Sequence, residues 1–407
     1  MHDGRIIKFY REKAKLTQEQ LGRGICSATH ISKIERGLTE FSPNLVKLLE
    51  ERLDISIKQE KYVLSQIKEK LYCWHEAIIM QRSQEIETIK NELDNEPLIV
   101  ISDYQILYNI LQARYYLLHQ DDMKAFTIIK KLRKRHKKLP PFERNFLQHV
   151  IGIYFLKKQE FQNALEALNA INFNEYQNAE YYFHLAIAYH SNAQHMAYYY
   201  AEEALHFFKR SNNFLGIIDA EILILILQQG DSDNNFEERL KRYKLLIKSC
   251  DLMSAHAKKA RVLHNLAYEY YIRKEYEKAS KHYKESMNLK KKNSGKYLMS
   301  LEGYLRSLIK GRLKNNDELL ELATEGLAIA RELKDPLYIY LLTLPLFLIK
   351  NEQDQYFHYL SEKALPFFKT YGHTFLAERS ERELFDYYSK TGQLHKALSI
   401  AQTLIAR

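Results

Sequence analysis

The stretch from Ala260 to Leu289, ARVLHNLAYEYYIRKEYEKASKHYKESMNL, limits what this chain can fold into more than any other. Counted from Ala260, Ala267 stands at position 8, Tyr270 at 11, Tyr276 at 17, Ala279 at 20 and Tyr283 at 24. Two antiparallel helices approach closely only where Ala or Gly sits at their crossing and large side chains fill the flanking gaps, so this alternation specifies a helix pair. Fainter copies occur elsewhere: Ala113, Tyr116 and Ala125; Gly152, Phe155, Phe161 and Ala164; a copy with a three-residue insertion before Ala201; and Phe385, Tyr388, Leu394 and Ala397. The alanines Ala125, Ala164, Ala201 and Ala279 are 39, 37 and 78 residues apart, the last interval being two steps of 39. A repeat of that length is one supersecondary unit that buries its apolar face only by stacking on its neighbours.

The alternation resembles the tetratricopeptide (TPR) unit, although these units are longer than its 34-residue consensus. That resemblance implies an all-α body from about 99 to 407, a right-handed superhelical solenoid of seven or eight helix pairs with a concave inner face. Glycine (13) and proline (7) are scarce, which suits long helices with short connections. In TPR arrays the inner face comes from first-helix positions 2, 5, 6, 9 and 12, here Arg261, His264, Asn265, Tyr268 and Tyr271. Neighbouring units offer Phe146, His149 and Ile153; Tyr182, Phe183, His184 and Ile187; and Tyr297, Ser300 and Tyr304. Asn beside Arg can hold a backbone amide and a carboxylate, and aromatic walls accept apolar side chains, so Arg261, His264, Asn265, Tyr268, Tyr271, His184, His149 and Tyr304 are candidate peptide-binding residues. The alternative for the histidines is a satisfied side chain in a helical groove.

The first residues differ in character. Ile6, Ile7, Tyr10, Ala14 and Leu16 recur at helical spacing, so a first helix ends near Lys15. Thr17, with Gln20 three residues on, forms a capping-box pattern for a second helix, TQEQLGR, which Gly24 stops. Ser27 then caps a third, ATHISKIER, which Gly37 ends. Two short helices joined by a tight turn make a helix-turn-helix. Leu21, Ile25, Ile31 and Ile34 close its core, leaving Ala28, Thr29, His30 and Lys33 outward at the start of the third helix. Residues 1–36 hold eight Lys/Arg against four Asp/Glu, a surplus suited to phosphates. Gln18, with the free N–H groups of the second helix, would hold a phosphate oxygen; Ser27, Ala28, Thr29, His30 and Lys33 would stand at the major groove.

Through LTQEQL, IS and KIERG, residues 5–57 resemble the Xre/Cro-type helix-turn-helix domain. The resemblance implies a structural ion pair between Arg11 and Glu35. The chain departs from the common pattern in having five residues, GRGIC, between Leu21 and Ser27 where six are usual, which shifts the base-reading assignment by up to a position. Cys26 in that turn reads as a small core residue rather than a redox switch.

The whole arrangement, a helix-turn-helix domain at 1–58, a helical connector at 59–98 and a TPR-like body at 99–407, resembles the peptide-pheromone-controlled regulators of Gram-positive bacteria, the RRNPP group, in its neutral-protease-regulator branch. That implies a homodimer on paired half-sites of double-stranded DNA, controlled by a short signalling peptide in the TPR groove (quorum sensing), with Asn265 on the peptide backbone. A protein-docking role, sequestering or dephosphorylating a response regulator, is the other function open to such a body.

The net charge of +10 permits nucleic-acid or acidic partners. One run, KKLRKRHKK from Lys130 to Lys138, has seven Lys/Arg and no acid; such a run is ordinarily a solvated helix face, and contact with flanking DNA or an acidic partner is the second reading. Cys26, Cys73 and Cys250 form no CxxC pair, which suits a reducing cytoplasm and signals neither disulfide framework nor zinc site. No apolar segment reaches spanning length, no signal-peptide core is present, and no nucleophile elbow, P-loop or metal spacing points to an enzyme or a cofactor. The expectation is a soluble, cytoplasmic, cofactor-free regulator.

Overall fold

The structure is a computed structural model that describes residues 2–39, 42–190, 193–229 and 235–405, and among them every regular element is helical. The chain forms two compact units, one holding residues up to 188 together with 206–216, the other 189–205 and 217 onward.

The first unit begins with α1 (His2–Lys13), α2 (Gln18–Gly22), α3 (Ala28–Glu35) and α4 (Pro43–Leu53). The capping box closes as its sequence specifies: Gln20 N–H donates to Thr17 Oγ1 at 3.1 Å, and Thr17 N–H donates to Gln20 Oε1 at 2.8 Å. Ser27 Oγ accepts from His30 N–H at 3.2 Å, and Gly24 and Gly37 take the left-handed conformation (φ 74° and 69°) that ends the two short helices. Ile6, Ile7, Leu21, Ile31, Ile34 and Leu49 exclude solvent completely, whereas Ile25 is only half-buried. At Gly4, α1 passes so close to α3 that a Cβ would lie 2.1 Å from the Ile34 carbonyl oxygen, and no larger residue fits.

This head does not end at a free linker. α1 packs on α5 (Ile57–Ile79) and on the 3₁₀ turn Pro97–Ile101. Arg5 Nη1 donates to the Ile101 carbonyl at 3.2 Å and to Asp103 at 2.7 Å, and Lys61 meets Asp3 at 2.7 Å. After α6 (Ser83–Asp94) come α7 (Gln105–Leu118), α8 (Asp122–Arg133), α9 (Pro141–Lys157), α10 (Phe161–Asn169) and α11 (Ala179–Tyr189). The second unit carries α13 (Phe214–Leu227) from residue 217, α14 (Phe236–Leu252), α15 (His256–Ile272), α16 (Tyr276–Asn288), α17 (Gly295–Gly311), α18 (Asn316–Glu332) and α19 (Pro336–Ile349). It continues through α20 (Gln353–Tyr359), a π turn and α21 (Leu365–Thr370) to α22 (Thr374–Lys390) and α23 (Leu394–Ile405). With α12 (Gln194–Arg210), which the unit boundary divides, helices from α7 onward follow in sequence as eight pairs, α20 and α21 counting as one arm.

The expected crossing alanines Ala125, Ala164, Ala201, Ala279 and Ala397 are all buried. The turns explain how so little glycine suffices. Gln120, Gln159, Lys274 and Asn351 adopt positive φ, and the following N–H groups of Asp121, Glu160, Glu275 and Glu352 return to the carbonyls of Tyr116, Phe155, Tyr270 and Phe347 at 2.8–3.0 Å. This six-to-one closure satisfies the last carbonyls of each first helix with ordinary polar residues in the left-handed position. No described helix is long and apolar enough to cross a membrane.

Candidate DNA-reading helix and candidate peptide groove

Helix α3 is held on α1 by a bidentate ion pair. Arg11 Nε and Nη2 donate to Glu35 Oε1 and Oε2 at 2.5 and 3.1 Å, and the Glu35 side chain is only 3% exposed. Hydrogen bonding to Glu35 raises the Arg11 pKa further, so the guanidinium stays charged. The same carboxylate accepts Gln18 Nε2 at 2.8 Å. Gln18 therefore spends one of its two amide hydrogens inside the head. Thr29 and Lys33 are exposed, Ser27 is exposed but engaged as the cap, and Ala28 is half-buried. His30 departs from the outward placement: its ring is half-buried and Nε2 is shielded without a partner among the described residues. Cys26 is half-buried too, and burial pushes its thiol pKa up, opposite to what a reactive thiolate requires.

In the second unit, α15 brings together five of the eight candidate peptide residues. Tyr268 and Tyr271 stack with centroids 6.5 Å apart, and Phe375 meets Tyr268 edge-on at 5.7 Å. The Arg306 guanidinium of α17 lies 4.4 Å over the Tyr271 ring. Asn265 Nδ2 is buried with no hydrogen-bond partner among the described residues, and so is Arg306 Nε. Two buried donors without acceptors are costly unless something else supplies the acceptor.

The other two α15 candidates are engaged. Arg261 Nη2 donates to Asp219 at 2.8 Å, and His264 Nδ1 lies 3.0 Å from Ser300 Oγ. Burial, helped by Lys290 and Arg306, lowers the His264 pKa to about 3, so its ring is neutral at physiological pH. Tyr304 is 7% exposed and packed into the helix stack.

His149 and His184 are also corrected by the structure. They lie in the first unit, 1% and 8% exposed, and contact each other: His149 Nε2 is 2.8 Å from His184 Nδ1, and His149 Nδ1 is 2.8 Å from the Tyr176 hydroxyl. Asn178 joins Tyr176 at 2.8 Å, and Arg114 pairs with Glu180 at 3.0 Å beside them. The pair is a closed core network, because Tyr176 from the α10–α11 connection covers it.

Sequence inspection missed a groove of about 440 Å³ adjoining Arg306. Leu341, Leu344, Tyr356, Phe357 and Tyr387 give it apolar walls, and Glu302, Arg306 and Arg379 give it a charged floor. Arg306 Nη2 and Arg379 Nη2 donate to Glu302 at 3.2 and 3.3 Å. Burial alone would raise the Glu302 carboxyl, but the two guanidiniums hold it below its ordinary range. The only sequence signal was a pair of arginines 73 positions apart in otherwise amphipathic helices, Arg306 and Arg379.

Residues 7–59 match the helix-turn-helix family HTH_3. Over 368 residues, 86% of this chain and 89% of the relative, the sequence is 24% identical to the transcriptional activator NprA of Geobacillus stearothermophilus. Among solved structures, the apo quorum sensor NprR from B. thuringiensis superposes with a TM-score of 0.68 at 23% identity, covering 84% of this chain and 99% of that one. NprR in complex with its cognate peptide NprX gives 0.67 at 24%, covering 84% and 98%. A Rap protein complexed with competence and sporulation factor gives 0.69 at 15%, covering 84% and 97%. These likenesses place the helical body in the fold that NprR and Rap share. The chain thus joins a head matched by the helix-turn-helix family to a helical body with the fold of NprR and Rap.

Proposed function

We propose that this chain is a sequence-specific DNA-binding transcription regulator whose activity is set by a short signalling peptide held along α15 and the adjoining groove. The observation that carries the reading is the conjunction, in one chain, of a capped helix-turn-helix presenting Thr29 and Lys33 with a helical stack in which Asn265 and Arg306 keep buried donors unpartnered. NprA is a transcriptional activator and NprR binds its cognate peptide NprX, and both support the same assignment here.

Each part has a chemical task. Thr29 and Lys33 offer a hydroxyl, a methyl and an ammonium to base edges or phosphates, while the Arg11–Glu35 pair fixes the angle at which α3 enters the groove. A peptide backbone carbonyl satisfies Asn265 Nδ2, a carboxylate or carbonyl satisfies Arg306 Nε, and the Tyr268–Tyr271–Phe375 wall with the Leu341–Phe357 groove takes apolar side chains. Peptide acts by favouring one conformation of a homodimer whose two heads must meet half-sites about 34 Å, or a multiple, apart.

The test uses the full chain. Sequences enriched from a random double-stranded DNA pool are measured for affinity with and without a pooled library of short synthetic peptides. Expected are a consensus with paired half-sites, its loss in Thr29→Ala/Lys33→Ala, and a peptide-dependent shift that Asn265→Ala abolishes. Absence of any enriched sequence, with or without peptide, would refute the proposal.

A further inference from the structure

The basic run falls at the end of α8 and in the 3₁₀ turn His136–Lys138 that follows it. Lys130, Lys131, Arg133, Lys134, Arg135, Lys137 and Lys138 are all exposed, and none of their side chains has an ion-pair or hydrogen-bond partner among the described residues. The opposite end of the same helix is different. There Asp121 pairs with Lys124, and Asp122 with Lys157 and Lys158, each at 2.9 Å. A helix C-terminus favours one or two cations through its dipole, but like charges three and four residues apart repel, so intramolecular physics does not account for seven.

The composition of the surface selects the partner class. Leu132 within the run and Leu139 just after it are buried, leaving a cationic surface with no apolar centre. Protein–protein interfaces are built around apolar and aromatic cores depleted in lysine, whereas a phosphate backbone asks for Lys and Arg alone. The run also belongs to the same compact unit as α3, whose head is fastened to the 3₁₀ turn Pro97–Ile101 and to α5 through Arg5 and Lys61.

We propose that the surface from Lys130 to Lys138 is a second, sequence-independent DNA-contacting site that grips the phosphate backbone while α3 reads bases. This rests on the DNA-binding function proposed above. It divides the work between two places: α3 sets which sequence is bound, and the run sets much of how tightly any duplex is held.

The test compares the full chain with a Lys130→Gln, Lys131→Gln, Lys134→Gln, Lys137→Gln variant, all at exposed positions, on labelled random-sequence duplex DNA across a potassium chloride series. Each phosphate that no longer meets a lysine lowers the slope of log affinity against log salt by ~0.9, so the expected decrease is about 2 to 4. Lysine-to-arginine substitution at the same sites restores the slope, and the sequence preference of the Gln variant is unchanged. A Gln variant with the wild-type slope overturns the proposal; so does one that keeps that slope but loses retention on an immobilised polyglutamate, which would assign the run to an acidic protein. If wild type binds no duplex at all, the proposed function falls as well, whereas Thr29→Ala/Lys33→Ala losing preference while the Gln variant matches wild type sinks only the second site.

Discussion

Breaking the Arg11–Glu35 pair from one side tests whether α3 is set by a buried charge or merely by packing. Glu35→Leu removes the acceptor of three hydrogen bonds, two from Arg11 and one from Gln18, at a side chain 3% exposed. Stranding one partner of a buried pair costs about 3–5 kcal/mol. Arg11 is not left wholly bare, because Nη1 still donates to the Leu16 carbonyl at 2.9 Å and Nη2 lies 3.4 Å from Glu12, which argues for the lower end, about 3 kcal/mol. Replacing both charges, as Arg11→Met with Glu35→Leu, removes the stranded group and is expected to cost within about 1 kcal/mol of nothing. The chain is too large to unfold in one step, so native-state hydrogen exchange of the α1 and α3 amides is the appropriate measure. The single substitution should raise their opening equilibrium roughly 150-fold, and the double should recover most of that. Equal protection loss in the single and the double, or a loss under about fivefold in the single, would show that the apolar core alone holds α3 and that the pair is dispensable.

Acidification should loosen the first unit ahead of any carboxylate effect. Burial lowers His75 to about 4 and His184 to about 3, and lowers His149 well below its ordinary value with His184 and Arg114 adding to it. The unfolded chain takes up protons near pH 6.5 and the folded one does not until far lower, so stability is fully present above about 6.5 and falls as pH drops toward 4; urea midpoints from pH 7 to 4.5 should show the decline, and His149→Gln should flatten it. Gly303→Ala sets a methyl 2.5 Å from the buried Tyr283 ring and should cost about 1–3 kcal/mol, read as a lowered urea midpoint. Asn265→Leu removes a buried, unpartnered amide donor, so the peptide-free protein should gain about 1 kcal/mol while the peptide response is lost; a destabilised variant would mean that the amide is satisfied within the fold.

What was legible in the sequence had short range. Thr17 with Gln20, and Ser27 with Gly37, act over three to ten residues, and their caps close as their spacing demands. The alanine period was legible because a close helix crossing tolerates nothing larger, whatever surrounds it. What was hidden depends on distant chain. Alignment to a repeat template set His149 and His184 on an inner face, but the residue that seals them, Tyr176, sits in a connection the template does not describe. The boundary drawn at 58 followed the helix-turn-helix resemblance over residues 5–57, while Arg5 reaches past the connector to Asp103, 98 positions away. No local pattern announces that contact, and a head cut off at that boundary would lose the packing of α1 on the 3₁₀ turn Pro97–Ile101.

The residues that break local rules fall into two kinds, and the distinction bears on function. Gln159 and Lys274 occupy a conformation glycine takes more readily, yet the turn each one closes repays the strain with a carbonyl satisfied on the spot. Asn265 Nδ2 and Arg306 Nε have no such return, each being buried without a partner among the described residues, although the rest of the Arg306 guanidinium pairs with Glu302. Packing does not explain the amide of Asn265, because an apolar side chain of similar size would make the free protein more stable. A guest that brings acceptors can, and its binding free energy then includes relief of a cost already present in the empty groove.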